Sequence, residues 1–352
     1  MGDLLDNYNY TKSVFDDFRK SAPDRDAEYD CLFMYSGGKD STYMLDKFVN
    51  EYGKRVLAYT FDVPFESNHI SENIKLAKAK IAATFVMDHD DAGIRTVVRD
   101  IFNRPVAAGS GRYLDEKLPC ASCRNFFLIR AIIRAYDDSI PFIAMCADPQ
   151  QILTMESNVR EIVKGFHKTF GGDRCEELFG DKIEELLFAD ETRLPRVVFP
   201  FIALRHEYDP EAIVLELKGK ELYQSSPLET HCTLFPLLNY YSFKNWNTMF
   251  YKLNASSYLR SAARNSTVDR STFSLKFPRS VDLLGLEDEF RDVVFKIVHR
   301  DGDRQELRSA LVSIFIRLEA GEAAAEFVAD TFMDMHKVAA DMGIELESGL
   351  DR

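Results

Sequence analysis

Short apolar runs alternate with helix-periodic segments through the first half of the chain, and this alternation constrains the fold more than any other feature. Cys31-Leu32-Phe33-Met34-Tyr35 is too short for a helix and ends at Gly37-Gly38. Thr42–Tyr52 then carries Met44, Leu45, Phe48, Val49 and Tyr52 at helical spacing and stops at Gly53, a natural residue just past a helix end. The same reading predicts strands over Val56–Phe61, Thr84–Met87 and Pro141–Ala147, with helices over His69–Ala83, Ile94–Phe102 and Ser122–Tyr136 between them. Val197–Leu204 is predicted as one more buried strand. Strands alternating with helices of this length make βαβ units, so the fold class is α/β, a doubly wound parallel sheet covered on both faces. Ligands of such sheets bind beyond the carboxyl ends of the strands.

Past residue 205 the pattern is helical, over Pro210–Gly219, Phe235–Leu259, Leu286–His299 and Arg304–Met342. Three regions follow: an N-terminal helical extension over residues 1–29, the α/β domain over 30–205 and a mainly helical C-terminal domain over 206–352. The first thirty residues are rich in carboxylates and lack an apolar run, and no stretch suits a membrane span; the expected location is cytoplasmic. Six cysteines are too sparse for a disulfide scaffold and read as thiols or metal ligands. Net charge −13 argues against a nucleic acid partner. Residues 230–268 nevertheless hold Lys244, Lys252, Arg260 and Arg264 without one Asp or Glu, either a docking face for an anionic substrate or an ordinary surface.

The chemistry is concentrated in Ser36-Gly37-Gly38-Lys39-Asp40-Ser41-Thr42, between the first strand and its helix. A Walker A loop needs a glycine five positions before the glycine of its Gly-Lys pair, and position 33 is Phe. Adjacent glycines still let the backbone adopt positive φ and bring its amides close to an anion, with a helix N-terminus behind them. Ser36, Ser41 and Thr42 offer hydroxyls, Lys39 a point charge and Asp40 a carboxylate for Mg²⁺. The bland alternative is a glycine-rich turn.

This string resembles the SGGxDS signature of the PP-loop ATP pyrophosphatases, the adenine nucleotide alpha hydrolase-like enzymes with a HUP-like sheet, and the likeness extends over residues 31–151. The resemblance implies cleavage of ATP between its α and β phosphates and transfer of AMP to a carbonyl-type oxygen. It implies that Ser36, Gly37, Gly38, Lys39, Asp40 and Ser41 grip pyrophosphate and its Mg²⁺, and that Thr60 and Phe61 lie beside the adenine. Asp148 falls where relatives often place a second acidic group, although an Asp-Pro turn explains it as well.

Cys120-Ala121-Ser122-Cys123 opens a predicted helix, so both sulfurs share one face, and the helix N-terminus with Arg124 favours thiolates. Inert buried thiols are the alternative, and a closed zinc site lacks a second paired motif. With Cys232 the pair would give three thiolates, the set that leaves one iron of a [4Fe–4S] cluster open for sulfide. The arrangement is similar to the tRNA-thiolating branch of these enzymes, which implies sulfur as nucleophile; a cysteine persulfide is the cluster-free version. Tyr35–Tyr43, Thr60-Phe61-Asp62 and Pro119-Cys120 with Cys123 are also similar to N-acetyl sugar amidotransferases of surface-polysaccharide synthesis, which take ammonia from a partner glutaminase. The N-terminal cysteine module associated with many of them is absent. The resulting expectation is an ATP-dependent sulfurtransferase acting on a small, nucleobase-like or amide-containing molecule. Amidotransfer and tRNA thiolation are the alternatives. A sulfur donor or an ammonia-supplying protein is the expected partner, and a homodimer is one assembly open to it. The remaining Cys31, Cys146 and Cys175 read as packing residues, and the scattered histidines as ordinary ones.

Overall fold

The computed structural model describes residues 4–21, 27–64, 68–103, 119–146, 157–204, 208–224, 232–246, 284–317 and 322–346. Strands β1 (Cys31–Met34), β2 (Val56–Asp62), β3 (Thr84–His89), β4 (Phe142–Met145) and β5 (Arg196–Val198) form one sheet in the order β3-β2-β1-β4-β5. Every pairing is parallel. The order reverses at β1, which places a topological switch point between the carboxyl ends of β1 and β4. The central strand is apolar on both faces because both are covered: Cys31, Leu32 and Phe33 are all 0% exposed.

Helices α1 (Leu4–Lys20), α2 (Lys39–Asp46, running into a π-helical turn over Lys47–Glu51), α3 (Asn68–Lys80), α4 (Asp91–Phe102) and α5 (Pro119–Asp137) lie between or before the first four strands. Strand side chains alternate between faces, and the contacts separate accordingly. On one face Phe33 meets Phe48 of the π turn at 5.2 Å, and the Tyr35 hydroxyl lies 3.1 Å from Thr42 Oγ1 of α2. On the other face Phe61 meets Phe126 and Phe127 of α5 at 5.8 and 4.5 Å. Phe15 and Phe18 of α1 are fully buried against Phe48, and Phe18 also against Phe142. Each buried ring contributes roughly 2 kcal/mol or more, which anchors α1 to the sheet.

Helices α6 (Val159–Phe170), α7 (Gly172–Phe179) and α8 (Lys182–Phe188) fill a stretch in which the sequence reading placed no element, and α9 (Pro200–Ala203) and α10 (Pro210–Gly219) follow β5. The strand expected over Val197–Leu204 stops at Val198. Pro200 lacks the amide a strand would use, and it sits at the first position of α9, where that amide would go unpaired anyway.

The chain divides into two compact units, one of residues 1–64, 68–94 and 120–225, the other of residues 65–67, 95–119 and 226–352. The second unit contains α11 (Phe235–Trp246), α12 (Leu284–His299), α13 (Arg304–Arg317), α14 (Glu322–Met333) and α15 (Met335–Met342). Phe290, Phe315 and Phe332 form its aromatic core, with centroids 5.5 to 5.9 Å apart, and the edge of Phe235 meets Phe332 at 5.8 Å. The single helix expected over Arg304–Met342 is three helices. Leu311, Ile314 and Phe315, then Val328 and Phe332, then Met335 and Met342 are each buried, and separate segments cover these stripes. None of the described helices is long and apolar enough to cross a membrane.

Candidate functional site

The carboxyl end of β1 delivers the chain into Tyr35-Ser36-Gly37-Gly38 and straight into α2. Gly37 has φ +71°, and a Cβ there would stand 3.0 Å from Ile70 Cγ2, 3.2 Å from the Ile70 carbonyl and 3.2 Å from Ile74 Cγ1. Glycine is therefore required twice, by the left-handed backbone and by the close approach of α3. Gly38 differs from the expectation of two positive-φ glycines. It is extended at φ −77°, ψ 165°, caps α2, and an added Cβ would meet only Ser36 Oγ, at 3.4 Å. Its amide donates to Ser36 Oγ at 3.4 Å, a long bond that an incoming anion could replace.

Polar side chains close around this turn. Ser36 Oγ lies 3.1 Å from Ser41 Oγ, and the Ser41 hydroxyl reaches the Gly38 carbonyl at 3.1 Å. Thr42 is fully buried and pairs with Tyr35, whose own hydroxyl burial pushes up to about 12. Lys39 Nζ donates to both Asp40 oxygens at 2.8 and 2.9 Å and to the Tyr208 hydroxyl at 3.1 Å. Tyr208 Oη in turn donates to Asp40 Oδ2 at 3.3 Å. Cys146, directly past β4, is half-buried. Burial first, then the negative charge of Asp40, hold its thiol well above the ordinary value, which places the end of β4 beside the loop. The sequence reading gave Cys146 a packing role; its place at the switch point was set by strand order, which no local pattern reveals.

Thr60 and Phe61 close β2. Thr60 belongs to the loop side of the sheet: it lies two residues past Ala58, the partner of Phe33. It is 4% exposed and its hydroxyl has no hydrogen-bond partner among the described residues. Such a group costs about 1–3 kcal/mol when left unmade, so a ligand that supplies a partner gains accordingly. Phe61 points to the opposite face, half-buried under Phe126 and Phe127 with the Arg130 guanidinium 5.6 Å from its ring.

Those contacts also locate the cysteine pair. Phe126 and Phe127 follow Cys123 by three and four residues, on the same helical face, so the first turn of α5 stands past the carboxyl end of β2. Cys120 is exposed and Cys123 half-buried, and between them the Ser122 hydroxyl is buried without a partner among the described residues. Arg124 does pull the Cys120 thiol down, but the desolvation caused by surrounding protein outweighs it and lifts the thiol above its ordinary 9.0. The direction is that of a neutral thiol, opposite to the thiolate that the helix N-terminus and Arg124 would favour. Cys232 belongs to the second unit, half-buried in the turn before α11, with its carbonyl accepting the Phe235 amide at 3.2 Å.

The residues were tested against the groups the resemblance implies. Gly37 at positive φ, the helix start behind Gly38, Lys39, Asp40 and the Thr60 hydroxyl fit a nucleotide with Mg²⁺. For an iron–sulfur cluster or zinc, α5 supplies two sulfurs, and among the described residues no three His, Cys, Asp or Glu side chains gather to hold a metal. Asp148, Lys252, Arg260 and Arg264 lie outside the described residues.

A cavity of about 430 Å³ lies elsewhere in the first unit, lined by Tyr59, Asp88, Arg130, Arg134 and Lys182 among others. Its charges are already spent on one another: Arg130 binds both Asp88 oxygens at 2.7 and 2.8 Å and Asp90 at 2.7 Å, and Lys182 pairs with Asp137. We therefore place the site at the loop. No protein-family model matches the chain, and no curated protein matches it.

Proposed function

We propose that this α/β chain is an ATP-dependent adenylating enzyme that transfers AMP to a carbonyl or amide oxygen of a small molecule and then replaces that oxygen with sulfur. One observation carries the reading: a glycine at positive φ, where a Cβ would crowd Ile70 and Ile74, turns the switch-point strand directly into Lys39, Asp40 and Ser41 on the first turn of a helix. In this mechanism the amides of the turn and the N-terminus of α2 face the outer phosphates. Lys39 exchanges Asp40 for a phosphate oxygen, and Asp40 is the carboxylate that would hold the metal. Magnesium, when bound, spreads the phosphate charge and lets pyrophosphate leave. The acceptor oxygen attacks the α phosphorus, the bond to the bridging oxygen breaks, and the acceptor now carries AMP as a leaving group. Sulfide-level sulfur adds to the activated carbon and AMP departs with the oxygen, without net oxidation. With a persulfide on one of Cys120 and Cys123 as donor, its outer sulfur attacks the carbon instead. The other thiol then attacks the inner sulfur and frees the thiolated product, and the resulting disulfide is reduced by an external thiol.

A second reading, ammonia as nucleophile on an N-acetylated sugar, rests on the likeness of Tyr35–Tyr43, Thr60-Phe61-Asp62 and Pro119-Cys120 with Cys123 to the sugar amidotransferases. The test uses wild-type protein with Mg²⁺, ATP, an N-acetylated nucleotide sugar or a nucleoside, and either sulfide or ammonium. AMP and pyrophosphate in equal amounts, dependent on acceptor, are expected. Formation of ADP and phosphate, or failure of ATP to bind, refutes the adenylation reading. Iron and sulfide analysis of oxygen-free protein, with the sulfide-versus-ammonium comparison, decides the nucleophile.

A further inference from the structure

Lys39 and Asp40 are sequence neighbours on a helix, where side chains project roughly 100° apart and do not ordinarily face each other. Their pairing at 2.8 and 2.9 Å therefore calls for a third party, and Tyr208 fills that place. Its hydroxyl accepts from Lys39 Nζ at 3.1 Å and donates to Asp40 Oδ2 at 3.3 Å, closing a triangle across 168 to 169 residues of chain.

The hydroxyl is held where it is by α10. Asp209, the next residue, caps that helix by accepting from the Glu211 and Ala212 amides at 3.0 and 3.1 Å, and Pro210 fixes the first helical position. Helix α10 packs along α2, and Lys220 beyond its other end binds Asp46, the last residue of α2, at 2.7 Å. The Tyr208 ring leans edge-on against Phe201, which is 1% exposed, at 4.9 Å. Tyr208 is thus fixed to α2 at both ends of the neighbouring helix.

We propose that Tyr208 is a positioning residue of the loop: its hydroxyl holds Lys39 on Asp40 in ligand-free protein and so competes with an incoming magnesium nucleotide for both charges. The nucleotide half of this statement rests on the function proposed above; the ligand-free half does not. Nucleotide entry separates the pair, and the hydroxyl loses at least one of its two bonds. A lock of this kind keeps an unspent cation and carboxylate from capturing other ions between turnovers.

Tyr208→Phe retains the ring and its packing on Phe201 and removes only the hydroxyl. The first measurement is acetylation of Lys39 by acetic anhydride in ligand-free protein, followed by peptide mass spectrometry, with exposed Lys75 as internal reference. Loss of one hydrogen bond to a charged group should raise Lys39 labelling roughly fivefold in the variant. The second is calorimetric binding of Mg²⁺ with an ATP analogue carrying a methylene between its α and β phosphorus atoms. The variant should bind it roughly threefold to fivefold more tightly than wild type, an outcome that a merely structural tyrosine would not give. Unchanged labelling overturns the lock, and unchanged or weaker binding overturns the competition. If wild type fails to bind the analogue, the competition falls with the nucleotide reading, and the labelling ratio still decides whether Tyr208 holds the pair.

Discussion

Two charge clusters stand on opposite faces of the same sheet, built from nearly the same parts. Beside the loop, Lys39, Asp40 and Tyr208 meet at 2.8 to 3.3 Å. On the α5 face, Arg130 meets Asp88 and Asp90, and Tyr59 donates to Asp88. The difference is in what can be exchanged. The Arg130 fork binds both Asp88 oxygens in plane and spends a further N–H on Asp90, a geometry that is strong and specific. An ammonium is a point charge with rotatable donors, so Lys39 can pass from one oxygen to another at little geometric cost. The same ingredients give a structural tie in one place and a releasable pair in the other.

The largest effect that sharpens this contrast is on chemistry. Asp40→Ala should lower AMP formation roughly a thousandfold, of the order expected when one charge-stabilising group is lost from a transition state. Its melting temperature should stay close to that of wild type, because the residue is at the open end of α2 and half-exposed. Arg130→Ala should do the reverse. It leaves Asp88 and Asp90 without their cation and should cost about 3 kcal/mol in a urea unfolding titration. Nucleotide affinity at temperatures where the variant is folded should change little. Equal stability losses in the two variants would break the distinction.

A smaller effect separates the faces by their orphan groups. Thr60→Val removes a buried hydroxyl that bonds to nothing, so unfolding free energy should hold or rise by about 1 kcal/mol. Binding of Mg²⁺ with ATP should weaken several-fold if that hydroxyl serves the ligand. A stability loss with unchanged affinity would make Thr60 an ordinary core residue.

How much of this was legible in the sequence follows from how local each signal is. Strand β1, the loop and the start of the next helix are consecutive, so their apolar run, glycines and helical spacing could be read together. Helix α10 was legible over its observed bounds because Pro210 opens it. The helices over residues 159–188 were missed: Gly171 and Gly180 cut their apolar pattern into pieces of seven to twelve residues. Tyr208 and Cys146 were invisible for another reason. What makes them interesting is the neighbour each acquires, Lys39 and Asp40, and that is decided by the packing of α10 on α2 and by strand order. Arg130 was similarly unmarked, because its partners Asp88 and Asp90 come from a different strand and loop.

The smallest effect is a pH dependence confined to the structural cluster. Burial raises the Asp88 pKa, but the hydrogen bonds from Arg130 and Tyr59 and the Arg130 charge more than offset it, so the folded-state value lies below the ordinary 3.8. A carboxylate with a depressed folded pKa contributes stability that is whole above its unfolded pKa and is lost as pH falls through the folded one. Unfolding free energy of wild type should therefore fall on acidification from about pH 4 towards pH 2, in part through this group. Asp88→Asn starts lower at neutral pH, because the charge is already gone, and loses less over the same interval. Its Oδ1 still accepts from Tyr59 and Arg130, so the deficit should be smaller than that of Arg130→Ala. The two curves should converge at the acid end. Parallel curves from pH 7 to pH 2 would mean that Asp88 carries no linked proton, and that the tie across α5 and β3 is held by Asp90 and packing instead.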